Sequence, residues 1–280
     1  MTTHTRTETE PEVAHDRLAE LARLLTDRDR AIVADVGDHR VMTTHHLARL
    51  HFTGPDTSRA RRRLAALHRY GLLDRFRPIL PPPRGTAPWH WVLAAAGEHV
   101  YADIHELDQP ARRPGSRIRL ANSTHLHHTL GLADCYTAFR VAERRAPGAE
   151  LARWRTEADC ARRWGRHIRP DAYLRWHQHG RGLEAFLEYD NGTEHYPQVV
   201  RKLRGYTDHA RAHRRTAHIL FVAPTRTRTD RLADALAPHT SDRVVVHVTT
   251  ADLLQREGPE APIWRPAHED AAEPLHAIAT

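Results

Sequence analysis

The chain has 280 residues, a formal charge of +7 and a single lysine, Lys202, among its 42 Lys and Arg positions. That length suits two domains, each able to bury a core, and a pI near 10.0 favours a polyanionic partner, of which nucleic acid is the commonest. The longest apolar run, WVLAAA at 91–96, is far too short to cross a bilayer, so a membrane is not an expected partner.

The first residues, MTTHTRTETEPEVAHDR, are acidic and lack an apolar stretch, unlike a signal peptide. Cys135 and Cys160 form neither a zinc spacing nor a disulfide framework. A soluble cytoplasmic protein with reduced thiols is expected. The 24 histidines cluster at His45–His46, HLHH (125–128) and HQH (177–179). No cysteine and no helical His-x-x-x-His pair with a neighbouring acid joins them, which argues against a dedicated zinc site.

Residues 1–14 read as a disordered tail, and 15–107 as helices followed by a hairpin. AHDRLAELARLL is a short amphipathic lead. The next helix starts at a capping Thr26 and stops near Gly37. Another starts at Thr43 or Thr44 and ends before Gly54–Pro55, and a third is capped by Asp56 or Thr57 and closes at Gly71. On that third helix Ala60, Leu64 and Leu67 form one apolar stripe. Arg59, Arg62 and Arg69 lie roughly opposite, with Arg61 and Arg63 on the flanks. LLDRFRPIL and WHWVLAAAGEHVY read as two strands joined by PPPRGTAP.

Helix, turn, basic helix and hairpin is the order of a winged helix-turn-helix, whose recognition helix enters the major groove while the wing follows the backbone. The candidate double-stranded DNA contacts are Thr57, Arg59, Arg62, Arg63 and Arg69, with Arg75 and Arg77 on the hairpin. Guanidinium groups suit phosphates and guanine edges. The plainer alternative is a solvated arginine face on an ordinary three-helix unit.

Residues 108–122 form a polar linker with Pro and Gly. A second domain is expected over 123–256, and a C-terminal tail over 257–280. The second domain opens with a helix over 127–145. Strands follow at LARWRTEA, DAYLRWH and LEAFLEYD, then a helix over 197–211, the strand AHILFVAP, a helix at RTDRLADALAPH and the strand RVVVHVTT. The order αβββαβαβ indicates a mixed α/β sandwich.

Acids fall at informative places in it. Asp171 follows Pro170 where the second strand begins, and Glu188 and Asp190 sit two apart on the third. Residues two apart on a strand face the same side, so both carboxylates are expected to point one way, as a hard divalent cation requires. On the following helix Val199, Leu203, Tyr206 and Ala210 form the apolar stripe, and Lys202 lies about 60° off its centre. Its ammonium, a compact point charge, is within reach of the acids. It serves there either to orient a water or as a rim salt bridge.

RPDAYL, EYDNGTE and KLRGY resemble the replication-relaxation family of actinobacterial plasmids and integrative elements. The resemblance runs from the winged helix to PIWRP at 262–266. It implies a role in plasmid replication, relaxation or transfer, with the element's replication or transfer proteins as partners, and a second half akin to the PD-(D/E)xK nuclease fold. In that fold Asp171 and Glu188 would bind Mg2+, an acid on the first helix, here Asp134, would assist, and Lys202 would position the attacking water. One departure matters: Asp190 stands where the nuclease pattern wants lysine, and Lys202 stands on the next helix. Asp171, Glu188, Asp190 and Lys202 are thus the candidate catalytic group. The readings are a non-cleaving DNA-binding protein, a Mg2+-dependent endonuclease or nickase, and a transcriptional repressor, with Asp190 favouring the first.

Overall fold

The computed structural model describes residues 23–54, 56–78, 87–108, 125–193 and 195–278. The expected N-terminal tail, most of the lead helix, most of the turn at 81–88 and the linker from 109 lie outside them. The chain divides into two compact units, Met1–Ser123 and Thr124–Thr280.

In the first unit, Thr26 caps α1 (Asp27–His39) through a capping box with Asp29. The helix ends two residues past Gly37, a position where a Cβ would lie 2.2 Å from the Tyr101 ring. Thr43 ends β1 (Met42–Thr43) and caps α2 (Thr44–His51). Asp56 accepts the Ser58 N–H at 2.8 Å where α3 (Ser58–Arg69) begins. Ala60, Leu64 and Leu67 are fully buried, as their helical spacing requires. β2 (Leu73–Phe76) and β3 (His90–Leu93) complete an antiparallel sheet in the order β1-β3-β2.

The long second strand expected from Trp89 ends at Leu93, and Ala95–Ile104 is a helix, α4. Gly97 explains the difference. A Cβ at this position would lie 2.0 Å from the Leu72 carbonyl oxygen, so the glycine lets α4 sit directly on the backbone after α3. Burial of Val100 and Ala102 then outweighs the strand preference of the aromatic and β-branched residues.

The second unit is a six-stranded mixed sheet in the order β4-β5-β6-β7-β8-β9 with flanking helices. After α5 (Leu126–Arg145), β4 (Glu150–Arg155), β5 (Ala172–Gln178) and β6 (Arg181–Tyr189) form an antiparallel meander. β6, β7 (Ala217–Ala223) and β8 (Val244–Thr250) run parallel, joined by α7 (Tyr196–His213) and α8 (Arg226–Leu236). Val199, Leu203, Tyr206 and Ala210 of α7 pack with Phe186, Ile219 and Phe221 on one face of the sheet. On the other face Phe139 of α5 meets Trp154, Trp176 and Trp264. This is the mixed α/β class that the order of elements predicts.

Two segments differ from expectation. The first strand ends at Arg155, and Thr156 forms a capping box with Asp159 that starts an additional helix, α6 (Glu157–Trp164). Residues after 257 are not a tail. Following α9 (Ala251–Glu257), β9 (Arg265–Pro266) pairs antiparallel with β8, and Leu275 of α10 (Leu275–Ile278) is fully buried. The fully buried Trp264 and Leu275 provide the apolar area that anchors this segment.

Candidate functional site

β5 and β6 pair through Ala172 and Leu187, so the next step of the register sets Asp171 beside Glu188. Glu188, 2% exposed, faces α7. There the Lys202 ammonium donates to Oε2 at 3.0 Å and the Tyr206 hydroxyl to Oε1 at 2.5 Å. Burial pushes the Glu188 carboxyl up to about 7, and the negative charge of Asp171 adds to the rise, while Lys202 and Tyr206 oppose it. Asp171 accepts the Tyr189 N–H at 2.8 Å on Oδ2 and holds His128 Nε2 3.3 Å from Oδ1. Burial lowers the affinity of His128 for its proton, but the bond to Asp171 and its charge outweigh this and raise it above the ordinary imidazole value.

Asp190 departs from the expected cluster. β6 ends at Tyr189, and the Asp190 carboxylate turns to Arg228 of α8, which donates from Nε at 2.5 Å and Nη2 at 3.2 Å. Arg228 stands 4.3 Å from the centre of the Tyr196 ring. Strand alternation no longer applies once the strand has ended, which is why Glu188 and Asp190 have different partners. On α5 the side chain that meets Asp171 is His128; the Asp134 carbonyl accepts from Gln255 at 2.8 Å. His128 lay in the HLHH cluster, Tyr206 read as an apolar stripe residue, and Arg228 was one arginine among 41. None carried a local signal.

Mg2+ takes oxygen ligands at about 2.0–2.1 Å. Here each carboxylate oxygen of the pair faces a protein donor: the Tyr189 N–H and His128 for Asp171, Lys202 and Tyr206 for Glu188. Among the described residues no three His, Cys, Asp or Glu side chains converge as a metal-ligand set. The arrangement is a partly buried, nearly charge-balanced network that ties the end of the sheet to α5 and α7.

In the first unit α3 and the hairpin carry Arg59, Arg61, Arg62, Arg63, Arg69, Arg75 and Arg77. Arg59, Arg62 and Arg69 are exposed, and Arg59 and Arg62 line an open cleft of about 630 Å3 with Arg28 and Phe52. Arg63 differs: its Nε donates to Asp29 at 2.6 Å and its Nη2 to the same carboxylate. Asp29 is fully buried, so Arg63, itself 32% exposed and lining the same cleft, is engaged by an internal charge. Thr57 is half-buried and makes no side-chain cap. Arg75 and Arg77 both lie over the Trp89 ring, 4.1 and 3.9 Å from its centre, which holds two guanidinium groups together on the hairpin.

A family model described as replication-relaxation matches residues 33–223, from within α1 to the end of β7. The match spans α3, the Asp171–Glu188 pair and Lys202. No curated protein matches the chain. Among the described residues no helix is long and apolar enough to cross a membrane.

Proposed function

The chain belongs to the replication-relaxation family, and from that premise we propose that it binds duplex DNA of a plasmid or other mobile element during replication, relaxation or transfer, without cleaving it. The first unit follows the order of a winged helix, with α3 as the recognition helix and the β2–β3 hairpin as the wing. The observation that carries this reading is the two-sidedness of α3. It buries Ala60, Leu64 and Leu67 and exposes Arg59, Arg62 and Arg69. Arg75 and Arg77 on Trp89 supply backbone contacts from the wing. The replication or transfer proteins of the same element are the partners that this role calls for.

Each arginine–phosphate contact releases counterions, so log affinity for duplex falls with log salt by about 0.9 per contact. Arg62→Ala is expected to flatten that slope or relax sequence preference in a fluorescence-anisotropy titration of duplex. Equal affinity of the variant and the wild type at low salt would remove α3 from the interface.

The second unit acts here as a nuclease-like scaffold whose acid pair is internally neutralised. Incubation of supercoiled plasmid with wild-type protein and Mg2+ is expected to leave it intact. Nicking that needs Mg2+ and is abolished by Glu188→Gln would establish the endonuclease reading instead.

A further inference from the structure

A second cavity, of about 460 Å3, opens in the second unit on the same face of β5 and β6 as the acid pair. Its floor is two rows of cross-strand neighbours. Arg155 pairs with Tyr173, which pairs with Phe186; Arg153 pairs with Arg175, which pairs with Glu184. The wall is Trp164 of α6, 5.2 Å from Tyr173 and 5.3 Å from Phe186 between ring centres, and His209 of α7, 5.6 Å from Phe186. Phe186 lies two residues from Glu188, about 7 Å along the strand.

The charge in this cavity is one-sided. Five arginines line it against one carboxylate, Glu184. Glu184 is taken up by Arg175 and by Arg215, whose Nη1 lies 3.2 Å from Oε2. Among the described residues no carboxylate pairs with Arg153, Arg155 or Arg163. A ligand suited to this cavity is anionic at one end, to meet the guanidinium groups. At the other it is flat and aromatic, to stack on Trp164 beside the His209 ring. Phosphate joined to a nucleobase has those properties, and base stacking beside a basic groove is how single strands are held without sequence preference.

We propose that this cavity binds one nucleotide unit of single-stranded DNA, phosphate on Arg153 and Arg155 and base on Trp164. The site is distinct from the duplex contact of α3 and stands or falls separately from it. It gives the second unit a binding task in which the strand passes the internally neutralised acid pair uncut.

The test uses the full chain and fluorescence anisotropy of a short labelled single-stranded oligonucleotide. Arg153→Glu with Arg155→Glu changes side chains at the open side of β4, and a melting curve checks that the fold survives. The expected result is at least about tenfold weaker single-strand binding, with the slope of log affinity on log salt reduced by about 0.7 per lost phosphate contact, and duplex binding unchanged. Trp164→Leu keeps the arginines and is expected to weaken the same binding by about tenfold through lost stacking. Arg231→Glu, an exposed change on α8, is expected to have no effect. Competition with dTMP separates the two sources of the ligand. Displacement identifies a free nucleotide as sufficient, whereas retention of the oligonucleotide identifies the strand. Single-strand affinity that ignores the Arg153/Arg155 pair, or that falls equally with Arg231→Glu, would overturn the proposal.

Discussion

Glu188 is a carboxylate enclosed by groups that disagree about its charge. Burial and Asp171 favour the protonated form, and Lys202 and Tyr206 the ionised one. Its folded pKa, about 7, lies above the ordinary 4.5. It therefore contributes stability that is fully present below about pH 4.5 and lost as pH rises through about 7. Glu188→Gln removes that titration. The stability advantage of wild type over the variant is expected to shrink by on the order of 3 kcal/mol between these limits, at about 1.4 kcal/mol per unit. Urea unfolding of both proteins across the range measures it, and a difference that stays constant with pH would refute the assignment. Lys202 and Glu188 were legible in the sequence because an arginine-only chain makes one lysine conspicuous and a strand-borne acid is costly to bury. Tyr206 was not, since its helical spacing is that of an apolar residue and only the fold reveals its hydroxyl on a carboxylate. His128 and Arg228 are joined to Asp171 and Asp190 across 43 and 38 positions of sequence, a pairing that no local pattern encodes.

At the level of elements, α3 is the segment that the sequence describes best. Its apolar stripe and its arginine face follow from spacing alone. What spacing does not reveal is that one flanking arginine is held by a buried carboxylate. Arg63 ties α3 to the N-terminal turn of α1 through Asp29, which also closes the capping box with Thr26. Arg63→Ala leaves a fully buried carboxylate with only its Thr26 bonds, and is expected to cost the first unit about 2–3 kcal/mol. It should leave the salt slope of duplex binding per folded molecule unchanged, opposite to Arg62→Ala on both counts. A stable Arg63→Ala protein with a flattened salt slope would return Arg63 to the DNA-contacting set. Two of the elements that sequence reading missed, α4 and β9, share one cause, whereas α6 starts at a local capping box. α4 depends on Gly97 meeting the Leu72 carbonyl, and β9 exists because β8 has an open edge for residues near 265 to pair with. Both are tertiary contacts, and α4 in particular shows a local strand preference being overruled.

For the molecule as a whole, the +7 charge was informative about the class of partner and silent about where contact is made. The fold resolves that charge into two kinds of surface. One is the arginine face of α3 with its hairpin, to which the duplex contact is proposed. The other is the aromatic-floored cavity lined from β4, α6 and α7, which is proposed to take an unpaired nucleotide. They belong to different compact units, Met1–Ser123 and Thr124–Thr280, each with its own buried apolar residues. If each unit carries its own cooperative core, the two binding activities should separate when the chain is divided. The fragment ending at Ser123 is expected to retain duplex affinity and its salt slope but not the single-strand binding that depends on Arg153 and Arg155. The fragment beginning at Thr124 is expected to show the reverse, each with a single thermal transition. Anisotropy titrations of both fragments with both nucleic acids give four affinities. A result in which duplex binding follows the second fragment, or single-strand binding needs the first, would mean that charge is used collectively rather than through two built sites, and would overturn the proposed division of labour.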